Sequence, residues 1–122
     1  MILRSNQSLG FLGETAAASY LISQGYKILE RNFKKRYGEI DIVALDGKTL
    51  VFVEVKTRKS NKYGTAEEAI TPWKLRVLIK SAQYYKLIHP NLPDSVRVDF
   101  ISVYLSIDNK IEKVKLYKNI TG

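Results

Sequence analysis

The chain has 122 residues, 45% hydrophobic and 26% charged, a balance that supports one folded core and argues against a disordered chain or two ordinary domains. It carries no cysteine and one His, which excludes disulfide scaffolds, thiolate or histidine-rich metal sites and cysteine nucleophiles, so any metal must be held by oxygen. Twenty Lys and Arg against 12 Asp and Glu give a net charge of +8 and favour an anionic partner, with nucleic acid ahead of a membrane surface because the basic residues are dispersed.

Met1 to Ser5 lacks a signal peptide's apolar stretch, and no run in the chain approaches a membrane span, so a cytoplasmic protein without a membrane partner is expected. From about Ser8 to Gln24, Leu9, Leu12, Ala16, Tyr20 and Ile22 recur among small residues, which predicts a helix; Gly25 stands where its C-terminus needs positive φ. Tyr26 to Asn32 reads as an edge strand, followed by the basic cluster Lys34, Lys35, Arg36. Gly38 to Arg58 is the strongest local signal, with Ile40, Ile42 and Ala44 alternating before Asp46-Gly47 and Leu50 to Val53 resuming beyond, a β-hairpin. Arg58 to Gly64 reads as a basic loop, and Thr65 with Glu68 has capping-box spacing for a short helical turn. Thr71-Pro72 looks like a fresh helix start, and Leu75, Leu78, Ile79, Ala82 and Tyr85 form one stripe up to His89-Pro90. Val96 to Leu105 and Ile111 to Tyr117, separated by Asp108-Asn109, close the sheet as two more strands.

The hairpin register decides whether its acids cooperate, because side chains on a strand alternate faces. A two-residue turn at Asp46-Gly47 pairs Leu45 with Lys48 and makes Asp41 and Glu54 diagonal neighbours on one face, with Glu39 and Lys56 beside them. A four-residue loop opposes Asp41 and Glu54 directly, whereas a three-residue loop splits them. Like charges across strands are destabilising, so something positive should sit among them. Lys56 supplies part of that charge. A hard divalent ion, Mg²⁺ or Mn²⁺, supplies the rest, since Mg²⁺ is commonly bound by one or two carboxylates plus water and phosphate. Asp41 and Glu54 are the expected metal ligands, and the chemistry is phosphodiester hydrolysis, with Lys56 orienting water or stabilising charge on phosphate oxygens.

Gly38-Glu39-Ile40-Asp41, Asp46-Gly47 and Val51-Phe52-Val53-Glu54-Val55-Lys56-Thr57-Arg58 resemble the central signature of the YraN-like uncharacterised bacterial proteins, uncharacterised protein family 0102. The resemblance extends through Gly13-Glu14, Ala17, Tyr20, Leu21, Gly25-Tyr26, Leu29, Arg31 and Asn32 to Gly64, Ala69, Lys74 and Arg76, covering about residues 10 to 104. That family is similar to the restriction-endonuclease-like fold with its PD-(D/E)XK motif. The resemblance implies Asp41 as first acid, Glu54 as second, Lys56 as motif lysine and Glu14 as the extra helical acid of the Holliday-junction-resolvase branch. Ile40 stands where the motif has proline, which carries no catalytic group.

Simpler readings stand beside these. Glu-x-Lys on a strand is, alone, most often a solvated ion pair. Glu14 is open between a helix-surface acid and a third ligand, and Glu39 between a partner of the metal's ligands and a rim charge, with the rim favoured. Lys34, Lys35, Arg36, Arg58, Lys59, Lys62 and Lys74 flank the site in sequence and are expected to contact phosphates, the alternative being solvated loops. Tyr37 and Tyr63 are open between base stacking and packing at sheet edges, with packing favoured. Trp73 is read as a core or hinge residue ahead of a base-stacking platform, His89 as capping or solvated, and Asp99 as the partner of Arg97.

The expectation is an α/β fold over residues 1–122, a mixed sheet of about five strands flanked by helices. Its expected function is that of an Mg²⁺- or Mn²⁺-dependent nuclease on structured or branched nucleic acid, DNA ahead of RNA. The rivals are a non-catalytic nucleic-acid-binding module of the same fold and an interaction subunit of a repair or processing complex. Whether two copies pair as a homodimer is left open.

Overall fold

The computed structural model describes residues 6–59 and 70–121. Helix α1 (Asn6–Ser23) leads into strands β1 (Lys27–Lys35), β2 (Gly38–Asp46) and β3 (Thr49–Lys59), then helix α2 (Pro72–Ile88) and strands β4 (Ser95–Leu105) and β5 (Ile111–Tyr117). The five strands form one sheet in the order β1-β2-β3-β4-β5. β3 and β4 run parallel; every other neighbour is antiparallel. The expected α/β architecture with a mixed five-stranded sheet and flanking helices is therefore present. Parallel neighbours need a crossover, and α2 lies in that connection. Among the described residues no helix is long and apolar enough to cross a membrane.

Each helix covers one face. On the first, Ala17, Ala18 and Leu21 of α1 pack on Ile42, Ala44, Val51, Val53, Ile101 and Val103. On the second, Leu78, Ala82 and Tyr85 of α2 pack on Val43, Leu50, Phe52 and Val98. Gly13 lets α1 approach closely: a Cβ there would lie 1.8 Å from the Thr57 hydroxyl oxygen. Ile22, counted among the periodic apolar positions, is exposed, because it lies about 100° around the helix from buried Leu21. Gly25 takes φ +93°, as its place after α1 demands. The α2 start matches expectation: Thr71 caps the helix by accepting from the Lys74 N–H at 3.1 Å, and Pro72 opens it. At its end the His89 ring stacks on Tyr85 at 4.1 Å, and Nδ1 lies 2.9 Å from the Tyr85 carbonyl oxygen.

Two features differ from the expected hairpin. The turn is Gly47-Lys48, not Asp46-Gly47: Asp46 pairs with Thr49 and Leu45 with Leu50. Gly47 takes φ +60°, and Asp46 stays on its strand, tied to Arg97 at 2.8 Å; glycine at the first central position suits a two-residue hairpin loop. The alternation in β2 also breaks. Ile40 and Ile42 are two apart and fully buried, yet Ile42 belongs to the α1 layer and Ile40 to the α2 layer. β1 does the same, because Arg31 bonds to α1 while Phe33 packs under α2. Between them Asn32 takes φ +57°, a left-handed conformation that asparagine tolerates. The distal half of the β1–β2 hairpin thus crosses from one layer to the other.

Lys34 and Lys35 lie in β1, not in a loop, and Arg36-Tyr37 form the tip between Lys35 and its partner Gly38. Arg58 and Lys59 end β3. The rest of the expected basic loop with Lys62 and Tyr63, and the capping box at Thr65 and Glu68, lie outside the described residues.

Candidate functional site

The strand inversion creates the site. The β2–β3 ladder stops at Ile42 and Val53, and beyond it the Val55 N–H donates at 2.8 Å to Oδ2 of Asp41. A side-chain carboxylate thus satisfies a main-chain donor that the departing strand no longer reaches. Between the separated strands and α1 opens a cleft of about 580 Å³. Asp41 and Lys56 line it, with Glu14 from α1, Asn32 and Lys34 from β1, Glu39 from β2 and Arg58 and Lys59 from the end of β3.

The observed register continues toward direct opposition of Asp41 and Glu54. Burial pushes the Asp41 carboxyl up to about 8, and the Glu54 carboxylate beside it adds to the rise, partly offset by the Val55 N–H. Glu54 itself turns toward α2, where Lys74 meets its Oε2 at 2.6 Å, and it lines a small recess with Leu75 and Leu78 rather than the cleft. Asp41 therefore sits at the boundary, touching Glu54 on one side and sharing the cleft with Lys56 on the other.

Glu14 is nearly buried, and its Oε1 accepts from Arg31 Nε and Asn32 Nδ2, both at 2.9 Å. The guanidinium of Arg31 also reaches the Thr15 hydroxyl at 3.0 Å and lies 5.2 Å from the centre of the Phe11 ring. The residue that bends β1 is thus one of two that hold the helical acid. Glu39 is exposed at the rim, as read from the sequence. Of the basic set, Lys34, Arg58 and Lys59 reach the cleft, whereas Lys74 neutralises Glu54 and Lys35 and Arg36 sit at the hairpin tip away from it. Trp73 is 69% exposed, which corrects its reading as a core residue: it stands outside the α2 stripe that packs on the sheet. Tyr37, exposed but edge-on to Tyr84 at 6.0 Å, packs as the sheet-edge reading had it.

The donor set can be tested against a divalent ion. Among the described residues no group of three or more His, Cys, Asp or Glu side chains could hold a metal. The acids form a pair, Asp41 with Glu54. Each has one oxygen bonded to a protein donor, Val55 N–H and Lys74 respectively. A pair of carboxylates completed by water and phosphate suits Mg²⁺ or Mn²⁺. Sequence reasoning missed the Lys74 bridge, the Val55 donor and the hold of Arg31 and Asn32 on Glu14. Asparagine inside a strand-forming run was the available signal for the last.

An α/β chain whose hairpin parts around an acid pair, with a basic cleft against its first helix, is the class that this fold and cleft define. A family model described as Uncharacterised protein family UPF0102 matches residues 13–103, and the chain belongs to that family. It is 52% identical over 101 residues to a UPF0102 protein of Geobacter metallireducens, covering 83% of each chain. The UPF0102 protein of Caldicellulosiruptor saccharolyticus is 42% identical over 115 residues, 94% of this chain and 98% of that one. That of Syntrophomonas wolfei is 48% identical over 98 residues, 80% of this chain and 85% of that one. The expected family membership is borne out.

Proposed function

We propose that this chain is a divalent-metal-dependent phosphodiesterase of the nuclease type, acting on structured or branched nucleic acid, DNA in preference to RNA. The observation that carries the reading is the meeting of Asp41 with Glu54 at the point where β2 leaves β3, with Lys56 lining the same cleft as Asp41. Resemblance to the restriction-endonuclease-like core supports it through the same three residues.

Asp41 and Glu54 would hold Mg²⁺ or Mn²⁺, which when bound polarises a phosphate and lowers the pKa of a coordinated water. The side chains have their own tasks. Val55 N–H fixes the rotation of the Asp41 carboxylate, and Lys74 screens Glu54 so that two acids can share a small space. The Lys56 ammonium offers donors to a phosphate oxygen or to the attacking water. Lys34, Arg58 and Lys59 along the cleft attract the phosphate backbone.

The test is cleavage of labelled duplex, single-stranded, flap and four-way substrates with Mg²⁺, Mn²⁺ or EDTA. Asp41→Asn and Lys56→Ala should each lower the rate by about a hundredfold or more, a typical loss for a group acting in the transition state. Equal cutting by parent and both variants places the activity elsewhere. The ion pair between Lys74 and Glu54 favours a second reading, a binding module without turnover; in that case affinity persists and no metal yields product.

A further inference from the structure

The distal β1–β2 hairpin does more than open the cleft, because its tip lands on α2. Gly38 takes φ +149°, and a Cβ there would lie 2.8 Å from a Val77 methyl. Arg36 places its guanidinium 5.8 Å from the centre of the Tyr84 ring. Between tip and helix runs a groove of about 410 Å³ lined by Tyr37, Lys80, Gln83, Tyr84 and Leu87. Trp73, Lys80 and Leu87 repeat every seven residues, so they form one stripe about 21 Å long on the solvent side of α2.

Two properties of this surface select its occupant. It exposes large apolar groups, Trp73 at 69%, Leu87 at 75% and Tyr37 at 47%. Its charge has one sign: α2 contains Lys74, Arg76, Lys80 and Lys86 and no acid. Lys74 and Lys86 are paired with Glu54 and Asp94, while Lys35, Arg36, Arg76 and Lys80 make no ion pair among the described residues. A second copy docked here would bring like charges together. An extended chain bearing both negative charge and flat rings matches both properties.

We infer that the groove between the hairpin tip and α2, continued by the exposed face of α2 as far as Trp73, binds single-stranded nucleic acid, with a base on Trp73 and phosphates on Arg36, Arg76 and Lys80. Lys34 and Glu39 on one side of the tip line the cleft, and Tyr37 at its end lines the groove, so the tip joins the two. A strand leaving the cleft passes over it onto α2. The inference deepens the proposed function by naming the form of the substrate beyond the reacting phosphate, and it rests on that reading for the direction in which the strand runs.

The test uses the full chain in EDTA, so that no cleavage is needed. Trp73 is the sole tryptophan, and titration with a short oligo(dT) should quench its fluorescence. Fluorescence anisotropy of labelled oligo(dT) should report affinity lowered by about tenfold or more in Trp73→Ala and in Arg76→Glu/Lys80→Glu, since a stacked base and a lost phosphate contact each have effects of that order. Trp73→Phe should recover most of the loss, and the charge variant should also show a shallower salt dependence. These positions are solvent-facing, and thermal melts verify that the variants fold. Unchanged affinity in both variants, or poly-glutamate displacing the oligonucleotide at equal charge, overturns the inference. Oligonucleotide binding without cleavage by any form removes the nuclease reading alone, whereas Asp41-dependent cleavage with unaltered binding by the groove variants removes this one alone.

Discussion

Asp41 carries two demands at once: it replaces a strand partner for Val55 and it lies against Glu54. Its carboxyl, moved from an ordinary 3.8 to about 8 chiefly by burial and then by Glu54, gives stability a definite pH dependence. Between those values the folded chain holds a proton that the unfolded chain has released, so stability falls as pH rises. Denaturant midpoints measured without metal should therefore drop between about pH 4 and about pH 8, by up to a few kcal/mol in unfolding free energy. Asp41→Asn should flatten that slope; an unchanged slope would mean that Asp41 is not the group that sets it. Adding Mn²⁺ at the higher pH should restore stability in the parent and not in Asp41→Asn. At this scale the sequence was legible in placement that follows from residue type and spacing, as in the meeting of Asp41 with Glu54 and the sharing of one cleft by Asp41 and Lys56. The Lys74 bridge was not legible, because it depends on how a helix remote in sequence lies over the strand.

Elements are positioned by a few small residues. Gly13 sets the contact of α1 with β3 at Thr57, and Glu14, one residue on, enters the cleft because of that closeness. Gly13→Ala should push α1 outward, costing about 1–3 kcal/mol as overpacking does and loosening the grip of Arg31 and Asn32 on Glu14. Thermal melts measure the first effect, and the pairing Gly13→Ala with Thr57→Ala, which clears the colliding hydroxyl, should recover much of it. A Gly13→Ala protein as stable as the parent would show that α1 has slack against the sheet. Most element boundaries were legible from periodicity and caps, as at Thr71-Pro72 and Gly25. The strand inversion was not, because one left-handed asparagine changes which layer Phe33 and Ile40 enter without disturbing the pattern of apolar letters. The turn at Gly47-Lys48 was likewise shifted by a long-range bond from Asp46 to Arg97 that no local rule contains.

Across the molecule, Arg97 ties the ends together. Its guanidinium meets Asp99 at 2.9 Å, Asp46 at 2.8 Å and the Tyr26 hydroxyl at 2.8 Å. Asp99, fully buried, also accepts from the Asn119 N–H at 2.9 Å and from Tyr26 at 3.1 Å. One network thus joins the start of β1, the hairpin turn, β4 and the segment after β5, at the end of β3 opposite the cleft. The pairing of Asp99 with Arg97, read from two-residue spacing, needs no catalytic role. Removing the cation strands a buried carboxylate, so Arg97→Met should cost about 3–5 kcal/mol in denaturant unfolding. Arg97→Met/Asp99→Asn should lose markedly less than that single change, and equal losses would assign the cost to packing alone.

The unzipped end of the β2–β3 ladder has a further consequence. A sheet paired to its last residue would be more regular and would leave no hollow beside α1, so the same departure that gives up main-chain pairing supplies the space. Geometry for chemistry and irregularity of the scaffold are here a single event. The shape of the hollow can accordingly be retuned from the outer strand, through the twist at Asn32, while the acids that line it stay as they are.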